Sequence, residues 1–394
     1  MGEFCVYNKE YVGKCFWTER RSRISSVFSY DDGYLLNGDN WNIDPTLEMV
    51  SGAQPAKFSI PGVLLDASPD RWGKTLIRHR HMRNNKERSN LQRRLNDIDY
   101  LLGVSDFSRQ GELRFSYEKD GLFLHPADEC PKLVSLPKLL DAANRYAEYE
   151  DENAIEYLLD AGSASLGGAR PKAAVADGDE LYIAKFPHRQ DKWDVIAWEW
   201  VSLCIASEAG ICVPDIRLVS IDGQKVLLTK RFDREREKRI GYISAMTLLG
   251  LADGEQADYS EIAEKMRTIS VDAKKDLHEL FRRIVLFIHI NNTDDHLRNH
   301  GFLRKGSGWN LSPVFDVNPN PERASVRGTS IFGETGREAS LKALLNNAYA
   351  FDLEENTAIQ ISSEVKKAVE SFEKYTKEIG VSEAERSLMR RCIV

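Results

Sequence analysis

The sequence predicts an α+β fold of two lobes with a small α+β subdomain in front. Three observations predict it. Strand-like runs and turn signals dominate up to residue 234, and helical periodicity dominates beyond residue 240. One almost wholly apolar helix near residue 280 ends in the polar run Asn291-Asn292-Thr293-Asp294-Asp295-His296-Leu297-Arg298-Asn299. The expected division is 1–125 for the N-terminal subdomain, 126–234 for a first lobe and 235–394 for a mainly helical second lobe.

A chain of 394 residues has room for two or three domains. Its formal net charge of −7 argues against a surface devoted wholly to nucleic acid. No uncharged apolar run approaches the roughly 20 residues that span a bilayer. Met1-Gly2-Glu3-Phe4 does not begin a signal peptide, so a cytoplasmic protein without membrane contact is expected. The six cysteines form no Cys-x-x-Cys pair and sit among apolar neighbours, which predicts reduced thiols. The eight histidines do not fall at ligand spacing around them, so no zinc site is expected.

In the first segment Phe4–Tyr7, Tyr34–Leu36 and Leu113–Tyr117 read as strands, and a helix begins near Arg71. Over 71–94 that helix is strongly basic: Arg71, Lys74, Arg78, Arg80, Arg83, Lys86, Arg88, Arg93 and Arg94 are opposed only by Glu87. It is either a solvated face or a surface for nucleic acid or an acidic partner. Residues 136–160 read as helical, with Leu136, Leu139, Leu140, Ala143 and Tyr146 on one face. After the Gly-rich loop 162–172 come strands Lys172–Ala176 and Leu181–Phe186 around an Asp177-Gly178 turn. A helix over 191–209 follows, with Trp193, Ile196, Ala197, Trp200, Val201 and Cys204 on its buried side and Glu199 near one edge. Ile216–Ile221 and Lys225–Lys230 form a second hairpin around Asp222-Gly223 and lead into Arg231-Phe232-Asp233-Arg234. Near the end Glu355–Glu378 reads as one amphipathic helix stopped by Gly380, and Ser382 with Glu385 as a capping box for a short last helix.

The polar run carries the chemistry. Asp294 and Asn299 are five residues apart, the spacing at which protein kinases place a catalytic Asp and an Asn that holds Mg²⁺. Asp316 is the natural third member, since Gly301-Phe302-Leu303 and Trp309-Asn310-Leu311 flank 304–308 as a hairpin before it. Its setting is Phe315-Asp316-Val317 rather than Asp-Phe-Gly. In that chemistry metal and Lys neutralise the charge on the transferred phosphoryl group, while a carboxylate orients the acceptor hydroxyl and takes its proton. An acid and an amide after a helix also describe a capped loop. The preceding helix favours the chemical reading: Leu277, Leu280, Phe281, Ile284, Val285 and Ile288, with Leu286, Phe287 and Ile290, leave almost no polar face, so the run enters an interior or a cleft where unpaired carboxylates are costly.

The loop Gly162-Ser163-Ala164-Ser165-Leu166-Gly167-Gly168-Ala169-Arg170-Pro171-Lys172 matches neither Walker A nor G-x-G-x-x-G. Its small residues let backbone N–H groups approach phosphate oxygens, and Ser163 and Ser165 add hydroxyls; the alternative is an ordinary flexible loop. Lys185, on an apolar strand, is either an edge cation or the partner of Glu199 aimed at the phosphates of ATP. Phe232 is either core or a surface for adenine, whose edge the backbone of Lys230 and Phe232 would bond. Gly-rich loop, Lys strand, Glu helix, hairpin, hinge and Asp/Asn loop come in the order of a protein kinase, so the fold class expected is α+β, two-lobed and protein-kinase-like.

These residues carry a resemblance. Ser165-Leu166-Gly167-Gly168-Ala169-Arg170-Pro171-Lys172, Ala184-Lys185-Phe186-Pro187, Arg231-Phe232-Asp233-Arg234, Thr293–Asn299 and Phe315-Asp316-Val317 resemble the HipA family of bacterial serine/threonine kinase toxins. Leu64–Gly73 and Gln110–Phe115 resemble that family's N-terminal subdomain, so the likeness covers nearly the whole chain. By position it implies Asp294 as general base and Asn299 and Asp316 as Mg²⁺ ligands. The implied ATP site comprises Gly167, Gly168, Ala169, Arg170, Pro171, Lys172, Lys185, Lys230, Arg231, Phe232, His296, Leu297, Arg298, Asn299, Phe315 and Asp316. Ser165 matches the serine that family members autophosphorylate to expel the loop and silence the enzyme, and Ser163 is a competing acceptor. Lys230 stands where some members have Glu, and Arg170-Pro171 replaces a Gln-Glu pair. The resemblance implies a protein substrate, in some members an aminoacyl-tRNA synthetase, and a DNA-binding antitoxin. A catalytically silent regulatory protein and a small-molecule kinase on the same fold are the alternatives.

Overall fold

In the computed structural model, residues 1–88, 94–125, 130–165, 168, 170–322 and 326–393 are described. The chain folds as two compact units, Met1–Gln190 with Val219–Ile243, and Asp191–Leu218 with Ser244–Val394.

Among the described residues the first unit holds two larger sheets and a two-stranded one. β1 (Gly2–Tyr7), β2 (Tyr11–Arg20), β3 (Arg23–Tyr30), β4 (Ala53–Pro55) and β5 (Arg114–Ser116) pair in the order β4-β3-β2-β1-β5. Phe4, Val6, Phe28 and Phe115 are buried beneath it. The expected strand Tyr34–Leu36 is instead the helix α1 (Asp32–Leu36). Asp31 caps it by accepting from the Gly33 N–H, and Tyr34 is drawn inside, its hydroxyl donating to the Trp41 carbonyl. After α2 (Gly62–Asp66), the basic helix α3 runs Arg71–Arg88 rather than to 94; residues 89–93 lie outside the described residues and Arg94 is not helical. Trp72, Leu76 and Ile77 are its buried anchors, and Arg83 lies 3.7 Å from both Glu152 and Glu156.

α4 (Asp97–Leu102) is followed by a break in the helix expected over 136–160, which is two helices, α5 (Leu136–Tyr149) and α6 (Glu152–Asp160). Glu150 takes a left-handed conformation with φ of 49°, and Asp151 starts α6 by accepting from the Asn153 and Ala154 N–H groups. Both acids look like ordinary helix-surface residues in sequence, but together they stop one helix and cap the next. The second sheet is β6 (Lys172–Asp177), β7 (Glu180–Lys185), β9 (Gln224–Lys230) and β8 (Ile216–Ile221), in that order; Val219–Ile221 of β8 belong to this unit. Asp177 pairs with Glu180, so the turn residues are Gly178 and Asp179, one step beyond the expected pair. The short strands β10 (Arg234–Glu235) and β11 (Lys238–Arg239) close the unit.

The second unit is mainly helical. α7 (Val195–Glu208) begins later than expected because Asp194 caps it on the Ala197 N–H. Its burial extends almost all round: Trp198 is fully enclosed and Glu199 is buried, whereas Trp200 and Cys204, expected inside, are half-buried. Beyond β12 (Tyr242–Ser244) come α8 (Ala245–Leu249), α9 (Tyr259–Ile269) and α10 (Ala273–His289). Next are the hairpin of β13 (Gly301–Lys305) and β14 (Gly308–Leu311), then α11 (Arg337–Asn346). The helix expected over 355–378 is broken into α12 (Glu355–Val369) and α13 (Phe372–Glu378). At the break the Ser371 hydroxyl bonds the Ala368 carbonyl and Glu208, which competes with the helical ladder. α14 (Glu383–Met389) has only half of the expected capping box. Ser382 accepts from the Glu385 N–H, but the Glu385 carboxylate accepts from the Asp194 N–H and the Trp198 indole.

Within the first unit the Arg231-Phe232-Asp233-Arg234 run is a buried ionic knot. Asp233 accepts from Arg231 at 2.8 and 2.5 Å, from Arg234 at 2.9 Å and from the Gly111 N–H at 2.7 Å. The two guanidiniums also bond the carbonyls of Ser108, Arg109 and Gly111. Burial pushes the Asp233 carboxyl up, but Arg231 and Arg234 outweigh it and hold the group well below the usual carboxylate range. Removing it leaves two buried cations uncompensated. Asp233→Ala is therefore expected to destabilise the first unit by about 3–5 kcal/mol, read as an earlier unfolding transition in denaturant; a shift below about 1 kcal/mol would contradict this assignment.

Candidate active site

In the second unit α10 buries Leu277, Leu280, Phe281, Ile284, Val285, Leu286 and Ile288, as its periodicity predicts. At its end Asn291 turns the chain with φ of 54°, and a polar lattice receives the run. The Asn291 amide donates to the Asn320 carbonyl, Asn320 donates to the Thr293 hydroxyl, and Arg327 donates to the Asn292 carbonyl. Asn291, Asn292, Thr293 and Asp295 are all buried, whereas Asp294 and His296 are exposed.

The two adjacent acids face opposite ways. Asp294 presents its carboxylate outward with no hydrogen bond or ion pair among the described residues. The Asn299 side chain, on a short 3₁₀ turn spanning Leu297–Asn299, donates its amide N–H to the Asp294 carbonyl at 2.9 Å. That bond holds the loop closed and leaves the Asn299 amide oxygen as a hard donor. Asp316 follows the β13–β14 hairpin in a left-handed conformation, φ 57°. Among the described residues no three His, Cys, Asp or Glu side chains gather at one point. One carboxylate plus one amide oxygen suits Mg²⁺, which keeps waters and phosphate oxygens as its other ligands.

Asp295 is 1 % exposed and points inward. One oxygen accepts from the Gly328 and Thr329 N–H groups at 3.0 and 3.3 Å. The other accepts from the Tyr259 hydroxyl at 3.1 Å and lies 3.8 Å from Arg327. Sequence reasoning treated this residue only as part of the motif; the signal for its role is that of two consecutive acids on a loop leaving the core, one must turn back. An open cavity of about 470 Å³ lies beside it, walled by Asp258, Glu261, Arg327, Gly328, Ser330 and Phe332 among others.

In the first unit Lys172 and Lys185 are paired across β6 and β7. Directly opposed residues project on one face, so both lysines stand on the same side of the sheet. The Lys172 ammonium lies against Gly168. The loop is seated on the start of α3: the Gly168 N–H donates to Asp70 at 2.5 Å, and the Trp72 N–H donates to the Gly168 carbonyl at 3.3 Å. Gly73 packs so closely on the Ala164 carbonyl that a Cβ there would lie 2.1 Å from its oxygen. Asp70, Trp72 and Gly73 were missed as loop-seating residues. Ser163 is fully buried. Leu166, Gly167 and Ala169 lie outside the described residues, as does the Ser165 side chain. Pro171 is buried and Arg170 half-buried. Lys230 pairs with Glu180, the Arg231 side chain enters the knot with Asp233, and Phe232 stacks on Tyr242 with ring centres 6.5 Å apart. In the second unit Leu297 is buried, Arg298 bonds Asp253, and Phe315 and Asp316 are half-buried. Glu199 belongs to the second unit and Lys185 to the first.

A small-residue loop before a Lys-bearing hairpin, and an Asp/Asn loop at the end of a buried helix before a hairpin and a further Asp, define a protein-kinase-like α+β fold. The chain belongs to the HipA family: residues 164–372, more than half of it, match the HipA-like C-terminal domain. A Haemophilus influenzae protein named "Putative kinase" is 29% identical over 186 residues, covering 40% of this chain and 54% of that one. The chain thus spans about half the length of the curated relative it matches. The HipA of Shewanella oneidensis MR-1, solved with HipB and operator DNA, aligns with a TM-score of 0.68 at 15% identity over 98% of this chain and 94% of that one. That likeness shows the fold. No helix among the described residues is long and apolar enough to cross a membrane.

Burial pushes the Asp295 carboxyl up to about 6, against the attraction of Arg327. A carboxyl raised on folding favours the native state below its ordinary range near 3.8, and that contribution is lost as pH rises through about 6. Relative to Asp295→Asn, the wild-type protein should lose roughly 2–3 kcal/mol of stability between pH 4 and pH 7, measured by denaturant unfolding across that range. A flat difference would show that this carboxyl is not desolvated.

Proposed function

We propose that the chain is an ATP-dependent serine/threonine protein kinase of the HipA type. The observation that carries this reading is the division of labour at the end of α10. One acid, Asp294, is outward and without a side-chain partner among the described residues, while Asn299 closes the loop from behind with its amide N–H on the Asp294 carbonyl. Asp294 is then the base that orients an acceptor hydroxyl and takes its proton. Asn299 and Asp316 would hold Mg²⁺, which would supply charge neutralisation at the phosphates. Lys185 and Lys172 offer two cations to the same phosphates, Gly167 to Pro171 cover them, and 230–232, 296–298 and Phe315 line the nucleotide. The functional division is 1–125, 126–234 and 235–394.

The finer parts of the reading belong to the same proposal. Autophosphorylation on Ser165 or Ser163 would silence the enzyme. Because Ser163 is sealed inside, its modification requires the loop to leave its seat on Asp70 and Trp72. A DNA-binding antitoxin is the proposed partner, following the HipB and operator DNA named with the Shewanella protein.

Purified protein incubated with Mg²⁺-ATP should acquire phosphate on Ser163 or Ser165, located by phosphopeptide mass spectrometry. Asp294→Ala and Asp316→Ala should each lower that transfer by at least about 100-fold. Transfer at the wild-type rate by either folded variant would overturn the assignment, and nucleotide binding without transfer by the wild type would point to a silent regulatory protein.

A further inference from the structure

We infer that Asp295 is a positioning residue that seats the Asp294 loop on the segment 327–330 and thereby sets where the Asp294 carboxylate stands. The inference rests on the kinase reading for its catalytic consequence, but its structural part is independent of it. Asp295 touches neither of the outward groups. Instead its carboxylate gathers three parts of the second unit: the N–H groups of Gly328 and Thr329, the Tyr259 hydroxyl at the start of α9, and the guanidinium of Arg327.

The seat is made from both sides. The Thr329 hydroxyl donates back to the Asp295 carbonyl at 2.6 Å, and the Gly328 N–H also reaches the Thr293 carbonyl at 3.0 Å. Arg327 bonds the Asn292 carbonyl one turn earlier. Gly328 lies flat on the loop backbone, since a Cβ there would come within 3.1 Å of the His296 nitrogen and 3.4 Å of the Asp295 carbonyl carbon. The far end of the same segment is pinned by Asp258, which accepts from the Ser330 hydroxyl at 2.6 Å and the Gly333 N–H at 2.9 Å. Residues on both sides of Asp294 are therefore tied to one strip of chain, and Asp295 is the acceptor at its centre. A misplacement of about 1 Å at a reacting group costs on the order of 100-fold in rate.

The test uses the full-length protein with Asp295→Asn, Asp295→Ala and Gly328→Ala. Amide hydrogen exchange should show lost protection in peptides covering 327–330 and 293–296 of Asp295→Ala, with α10 and α12 protected as in wild type. Phosphoryl transfer per bound nucleotide should fall ~10- to 100-fold in Asp295→Asn and Gly328→Ala, with the Kd for Mg²⁺-ATP within about 2-fold of wild type. Asp295→Asn, which keeps an acceptor for Gly328 and Thr329, should be less impaired than Asp295→Ala. Unchanged exchange at 327–330, loss of protection spread evenly over the unit, or full transfer per bound nucleotide in Asp295→Asn would each overturn the inference. If the wild type transfers no phosphate while the exchange pattern appears as described, the kinase reading falls and the seating stands.

Discussion

The carboxylate of Asp233 is the constraint around which the first unit is organised. A charge removed from water needs partners of opposite sign and a full set of hydrogen bonds, and Asp233 obtains both from Arg231, Arg234 and Gly111. The same guanidiniums then need acceptors, which the carbonyls of 108, 109 and 111 provide. Charge compensation thus fastens the loop after α4 to the segment leaving β9, and with it the β1–β5 sheet to the β6–β9 sheet. A cluster of this kind fixes geometry more than it adds net stability, because its gain is largely cancelled by desolvation.

What was legible in the sequence was what period and turn chemistry determine. The apolar stripe of α10, the β8–β9 hairpin and the β13–β14 hairpin stand where alternation and Asp-Gly or Gly-rich turns placed them, and the β6–β7 hairpin lies one step beyond its expected turn. What was not legible depends on single residues that choose between two local uses. Glu150 and Asp151 are compatible with helix, yet one takes the left-handed conformation and the other caps α6. Ser371, between α12 and α13, turns its hydroxyl onto the Ala368 carbonyl of α12. Tyr34 has strand propensity, but its hydroxyl bonds the Trp41 carbonyl and the Asn8 amide and its ring stacks on Tyr30.

The candidate site divides in the same way. The closeness of Asp294 and Asn299 was readable because five residues of one loop separate them, and the Asn299 amide bonds the Asp294 carbonyl. The supporting groups were not, because Asp70, Asp258, Tyr259 and Arg327 lie far away in sequence, and the side chains of Asp70, Asp258 and Arg327 bond backbone groups that any residue could offer, while Tyr259 reaches the Asp295 carboxylate. Asp294 and Asp295 show the limit most clearly: identical side chains, one residue apart, are separated in role only by the direction in which the loop turns each of them.

Glu385 has a consequence for how the chain comes to be folded. The buried indole of Trp198 and the Asp194 N–H at the head of α7 share this acceptor, which lies 187 residues downstream of the tryptophan. During translation those two donors have only water for a partner until synthesis has passed residue 385. The helix that carries Glu199 is therefore completed late on the ribosome, and a nascent chain short of that point has a second unit whose first helix lacks its terminal clasp.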